Sequence, residues 1–318
     1  MVHVRWPDEL DPILEGDLTI ALAYVTPARG TVVAPVTNFA LHDRERGVIS
    51  SVNSSVGVWR KLERIRRNPQ VALVYHSRRH GSCDRSEYVL VHGRATLSAP
   101  HPRYFDTIAE NYQRIVGPEG EGGPLTQWWL RDFHHRVAIE VAVERFVVWP
   151  DLGCAGEPHV VGAPLGDEPP PPQKSPANGT GPRIGMRRTR RRLAREPHLL
   201  LGWVGADGFP MVVSARLAGA ERDGLLLDLP AALVPGGGRR AGLTGHSFHP
   251  HNVGMRERIH TGWLVAEPGA RRVLYAPHTK AGFTIPPSRR AFQLASGAGT
   301  RWGMREARRR GFVDAPAP

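Results

Sequence analysis

Cysteine is scarce, lysine is scarcer, and long apolar runs are missing. The 318-residue chain carries two cysteines, Cys83 and Cys154, neither in a CxxC spacing. That excludes a disulfide framework and fits a reducing compartment. No apolar run approaches the ~18 residues of a membrane helix. The opening MVHVRWPDELDP is acidic where a secretory leader would be basic and then apolar. These absences predict a cytoplasmic protein with no membrane partner. Of the 42 Lys+Arg, only Lys61, Lys174 and Lys280 are lysines. An arginine bias of that kind weakens any argument from arginine counts alone.

The formal charge of +12 is unevenly spread: residues 1–150 hold 18 Lys+Arg against 17 Asp+Glu, and residues 183–318 hold 23 against 9. Between them, residues 153–182 contain the run Pro169–Pro172, then Pro176, Asn178-Gly179 and Gly181-Pro182. Such composition reads as a linker. The expected organisation is a first domain over 1–152, a Pro/Gly-rich linker over 153–182, and a second domain over 183–318 that ends in a basic helix.

Inside the first domain, hydrophobic patterning predicts strands over 18–25, 31–41, 48–52, 71–76, 88–97 and 137–149. Helices are expected near 8–14, over 59–67 and over 102–116, with Asn68-Pro69 stopping the second. The second domain repeats the opening pattern. Strands over 199–204 and 210–217 flank Asp207-Gly208, and Asp223-Gly224 leads into a strand over 225–229. Further strands fall at 242–246, 258–265 and 271–275. Where the first copy has its helix, the second has Pro235-Gly236-Gly237-Gly238, which does not hold one. The fold class expected is mainly β (α+β), two tandem barrel repeats with short flanking helices.

Chemistry concentrates in residues 48–74. Ser51, Asn53, Ser54 and Ser55 end a strand, and Arg60-Lys61 stand at the start of the next helix. Hydroxyls, free helix N–H groups and two cations suit a phosphate, whereas the plainer reading is a solvated helix start. The ordered series of hydroxyl-rich strand, Arg60-Lys61, Arg66-Arg67-Asn68-Pro69 and Val71-Ala72-Leu73 resembles the pyridoxamine 5'-phosphate oxidase-like split β-barrel family. Its flavin- and deazaflavin-dependent oxidoreductase branch is the nearer likeness. Val33-Ala34-Pro35-Val36-Thr37 and Tyr88–Ala95 fit the same pattern. The likeness runs over about residues 10–150, and more weakly over 195–275.

That resemblance implies a cofactor, FMN or the 8-hydroxy-5-deazaflavin coenzyme. Arg60 and Lys61 would meet its phosphate, and Ser51, Asn53, Ser54 and Ser55 the phosphate and ribityl chain. Pro35, Val36 and Thr37 would lie beside its ring. It also implies a dimer-like arrangement, either a homodimer or a pseudo-dimer within one chain, and hydride exchange with a small substrate. No arginine occupies Thr31–Phe39, where the phosphate-oxidising members carry one, so that reaction is not expected. No catalytic residue is nominated. The rival from another class is a non-enzymatic flavin- or haem-binding carrier or sensor.

Three other signals compete. His246, His249 and His251, with His260, are spaced for a metal or haem, but no metal is expected and a polar loop is the simpler reading. The arginines over 187–195 lack interleaved aromatics, so a nucleic-acid partner is not expected. Gly236–Gly238 lacks the Lys-Ser/Thr of a phosphate loop.

Overall fold

The computed structural model describes residues 4–78, 81–117, 124–166, 168–230, 233–249, 251 and 253–313. A short 3-10 turn at Asp8–Leu10 leads into α1 (Asp11–Gly16), with Pro12 in its first turn, where a missing N–H costs nothing. The β-branched and aliphatic run that follows forms β1 (Thr19–Val25), every residue of it buried. It turns at Thr26–Gly30 into β2 (Thr31–Thr37). The strand expected to reach residue 41 stops at Thr37. Asn38 turns its amide inward to the carbonyls of Leu14 (2.7 Å) and Asp17 (2.8 Å), and Ala40 adopts φ 53°. The chain resumes as β3 (Leu41–Asp43) and β4 (Val48–Ser54).

Next comes α2 (Trp59–Arg67), which buries Trp59, Leu62 and Ile65 along one face and ends at Asn68 in an extended conformation ahead of Pro69. β5 (Gln70–Tyr75), β6 (Tyr88–Leu97), α3 (Arg103–Val116), α4 (Pro124–Leu130) and β7 (Arg136–Trp149) complete the first unit. β8 (His159–Gly162), inside the Pro/Gly-rich segment, pairs with β7. The second half holds α5 (Met186–Leu193), β9 (His198–Val204), β10 (Pro210–Ser214), β11 (Arg216–Glu221), β12 (Gly224–Asp228), β13 (Gly237–Ser247), β14 (Arg256–Ala266), β15 (Arg272–Ala281) and α6 (Arg289–Arg309).

Strand order shows the duplication directly. The first sheet runs β2-β1-β5-β6-β7-β4-β3 and the second β10-β9-β13-β14-β15-β12-β11. Counting strands from each repeat's own start, the two orders are identical, and all neighbours are antiparallel. The opening hairpins match residue for residue: Val25 pairs with Thr31, and Val204 with Pro210. Between β12 and β13 no helix occurs among the described residues; Gly236 lies in the connection and Gly237-Gly238 open β13.

The repeats pack through their edge strands. β2 and β10 each pair on one side only, and an exposed edge invites association. Here each edge docks against the other repeat. Thr244 donates to the Val33 carbonyl (2.6 Å) and the Tyr88 hydroxyl to the Val212 carbonyl (2.9 Å), two equivalent positions on β2 and β10. Gly242 is required at this seam, because a Cβ there would stand 2.4 Å from the Thr31 carbonyl oxygen. One apolar cluster runs across it, joining Ala21, Val33, Ala72 and Tyr88 to Leu200, Leu201, Val212 and Leu243.

Candidate functional site

The residues singled out from 51–61 gather where β4 delivers the chain to α2. Asn53 is buried and its amide donates to the Ser51 hydroxyl (3.2 Å) and carbonyl (3.3 Å). The Lys61 ammonium donates to Asn53 Oδ1 at 2.6 Å. Ser51, Asn53 and Lys61 thus form one connected set. Ser55 is fully buried, and its hydroxyl points to the Thr300 carbonyl of α6 at 3.5 Å. Ser54 is half-buried, and Arg60 is exposed at the surface of α2. Pro35 is buried and Val36 and Thr37 half-buried at the end of the edge strand β2.

Opposite Lys61 stands a residue that no local pattern indicates. Glu257, buried on β14 of the second repeat, acts electrostatically on Lys61 without a direct ion pair. Burial pushes its carboxyl up to about 8, against the pull of Lys61. Burial likewise brings the Lys61 amine down to about 8, against the pull of Glu257. A neutral, protonated Glu257 does not repel an incoming anion; an ionised one would. The ammonium has three donors and one close acceptor. This donor set fits the phosphate end of a flavin-type cofactor.

The neighbouring cations of α2 divide by face. Glu63 pairs with Arg310 (2.7 Å), and Arg66 stacks over the Phe312 ring (3.9 Å) beyond the end of α6. Arg64 lies beside the Tyr24 hydroxyl. α6 comes down on the cradle itself: a Cβ on Gly303 would sit 2.1 Å from the Ser55 carbonyl oxygen.

The histidines regroup. His246, near the end of β13, meets His76, with the two Nε2 atoms 2.7 Å apart. His76-Ser77 and His246-Ser247 hold equivalent places after β5 and at the end of β13, so this contact lies on the pseudo-twofold axis. His198 stacks on His246 (5.1 Å between ring centres) and its Nε2 reaches the Ser77 hydroxyl (3.3 Å). No group of three His, Cys, Asp or Glu side chains among the described residues is arranged to hold a metal.

No family model and no curated protein matches this chain. Solved structures align over about half of it. A protein related to general stress protein 26 of B. subtilis, from Clostridium acetobutylicum and described as of the pyridoxinephosphate oxidase family, is 10% identical over 48% of this chain and 92% of its own, with a TM-score of 0.33. An F420 reductase is 22% identical over 44% and 98%, with a TM-score of 0.32. A putative pyridoxamine 5'-phosphate oxidase from Listeria innocua is 21% identical over 44% and 95%, with a TM-score of 0.30. The chain is a tandem pair of antiparallel β-sheets of one strand order. Each of those structures is matched over nearly its whole length by about half of this one. No helix among the described residues is long and apolar enough to cross a membrane.

Proposed function

We propose that the seam between the repeats binds a flavin-type cofactor, FMN or the 8-hydroxy-5-deazaflavin coenzyme, and that the protein is an oxidoreductase acting on a small substrate. The observation that carries this reading is the half-buried Lys61 ammonium, tied to Asn53 and through it to Ser51, with no direct carboxylate contact among the described residues. Lys61, Asn53 and Ser51 would hold the phosphate, with Arg60 at the rim and Ser54 and Ser55 lining the approach. Pro35, Val36 and Thr37, at the end of β2 beside the second repeat, would lie along the ring, and the second repeat would exclude water from it. When bound, the cofactor supplies the hydride chemistry, and the protein supplies binding and orientation.

A second reading, a non-enzymatic flavin-binding protein, uses the same Lys61, Asn53 and Ser51 set. Titration with FMN and with the deazaflavin, followed by absorbance and fluorescence, tests the binding. Lys61→Ala removes a charge-assisted contact of about 1.5–3 kcal/mol, so affinity is expected to fall by roughly ten- to a hundredfold. No binding of either cofactor at millimolar concentration would remove both readings. Anaerobic reduction of the bound cofactor, followed by reoxidation with candidate acceptors, separates enzyme from carrier.

A further inference from the structure

Further along α2, the helix and two turns line a half-open cavity of about 390 Å³. Arg64 and Arg67 reach it from α2, Arg29 from the β1–β2 turn, and Asn68 and Gln70 from the segment that follows the helix. The second repeat closes it with Val204 and Gly208 at the β9–β10 turn. No carboxylate lines it, and none pairs with these three arginines among the described residues. The one acidic residue of α2, Glu63, is taken by Arg310 on another face. Arg64 and Arg67 stand three apart, so their guanidinium groups project from one side of the helix. Three cations around a concave surface with apolar walls focus a positive potential that no internal group cancels.

A second observation comes from the backbone. Arg29 has φ 57°, in the left-handed region where glycine is at ease and a long side chain is strained. An arginine therefore stands where the turn alone would favour glycine, at the rim of the cavity.

We infer that this cavity is an anion site separate from the Ser51–Lys61 cradle, taking a phosphorylated small molecule of the nucleoside diphosphate kind. Arg29, Arg64 and Arg67 meet the phosphate oxygens, Asn68 and Gln70 supply neutral hydrogen bonds, and Val25 and Val204 face the organic part. Pocket volumes of this size accommodate small organic ligands. The inference does not depend on the cofactor reading, since none of its cations belongs to the cradle.

Isothermal titration of the full chain with inorganic pyrophosphate and with ADP tests it, using wild type, Arg29→Gly, Arg67→Ala and Lys61→Ala. Both probes are expected to bind wild type and Lys61→Ala alike, and to bind Arg29→Gly and Arg67→Ala at least tenfold more weakly. Arg29→Gly relieves the backbone, so its melting temperature is expected to equal or exceed that of wild type, which separates lost binding from lost folding. Failure of both probes to bind wild type at millimolar concentration would overturn the inference. So would unchanged binding in Arg29→Gly and Arg67→Ala, or loss of binding in Lys61→Ala. Competitive displacement of pyrophosphate by FMN would merge the two sites and overturn it as well. FMN affinity, read separately, tells failure here from failure of the cofactor reading.

Discussion

On the pseudo-twofold axis the protons have one consistent arrangement. His76 Nδ1 lies 3.1 Å from the Val74 carbonyl, which can only accept, so Nδ1 carries the proton and Nε2 its lone pair. His246 then donates through Nε2, and both rings are neutral. Burial, reinforced by the neighbouring His198, lowers His76 to about 3; burial, then His76 and His198, takes His246 well below its usual value. Both folded values lie below the unfolded 6.5, so the unfolded chain binds more protons in the window between them. Their stabilising contribution is present above pH 6.5 and is lost as the pH falls from there toward 3. Asp17, raised to about 7 chiefly by burial, and Glu257, raised to about 8, act in the opposite sense. A difference between variants isolates the histidines. His246→Gln should lower the slope of unfolding free energy against pH between 6.5 and 4.5, by up to about 1.4 kcal/mol per pH unit at the acid end. Urea unfolding across that range measures it; an unchanged slope would contradict the neutral pair.

Among the elements, α2 and α6 illustrate two ways of being specified. α2 was readable because everything that makes it is local: Leu62 and Ile65 three apart, cations on the other faces, and Asn68-Pro69 after the last turn. α6 is placed by what it lacks. Gly297 abuts the Trp129 indole, Gly303 abuts the Ser55 carbonyl, and Thr300 between them is fully buried, with its hydroxyl bonded to the Ser296 carbonyl at 2.8 Å. Alanine is the better helix former by about 1 kcal/mol. At Gly303 the added methyl meets backbone that cannot rotate away, so Gly303→Ala is expected to destabilise by about 1–3 kcal/mol despite that gain. Gly299→Ala is the control: its Cβ would meet only Val56 side-chain atoms, 3.2 Å away, and Val56 is itself 40% exposed. That variant should be neutral or stabilising. Thermal unfolding of the two compares them directly.

At the scale of the whole molecule, neither repeat is complete alone. The apolar cluster that joins Ala21, Val33 and Ala72 to Leu200, Leu201 and Leu243 has contributors on both sides of the seam. His92 adds to it, bonded through Nε2 to the Pro210 carbonyl (2.9 Å) and stacked on Phe209. A chain of residues 1–182 would uncover the edge of β2 together with that apolar surface, and self-association is the expected outcome. Sedimentation of this fragment tests the point. A stable monomer that melts with the full chain would show that the seam contributes little.

Local order was legible from the amino-acid sequence, because side-chain alternation, turn residues and helix stops act over a few neighbours. Most of the strands, α2 and the doubled opening hairpin follow from such signals, as does the joining of Ser51, Asn53 and Lys61, which lie within one strand and one helical turn; β8 within the expected linker and the break between β10 and β11 inside the expected strand 210–217 do not. What lies across the seam was not legible. Glu257 faces Lys61, and His76 touches His246 from 170 residues away, because two sheets of like topology pack edge to face about a common axis. The same packing draws Val204 and Gly208 against Arg29, Arg64 and Arg67. Of the histidines close in sequence, His246 lies within a buried strand, while His249 and His251 lie beyond its end. Nearness along the chain governs the elements, but which charges meet is decided by burial, and burial is a property of the packed pair.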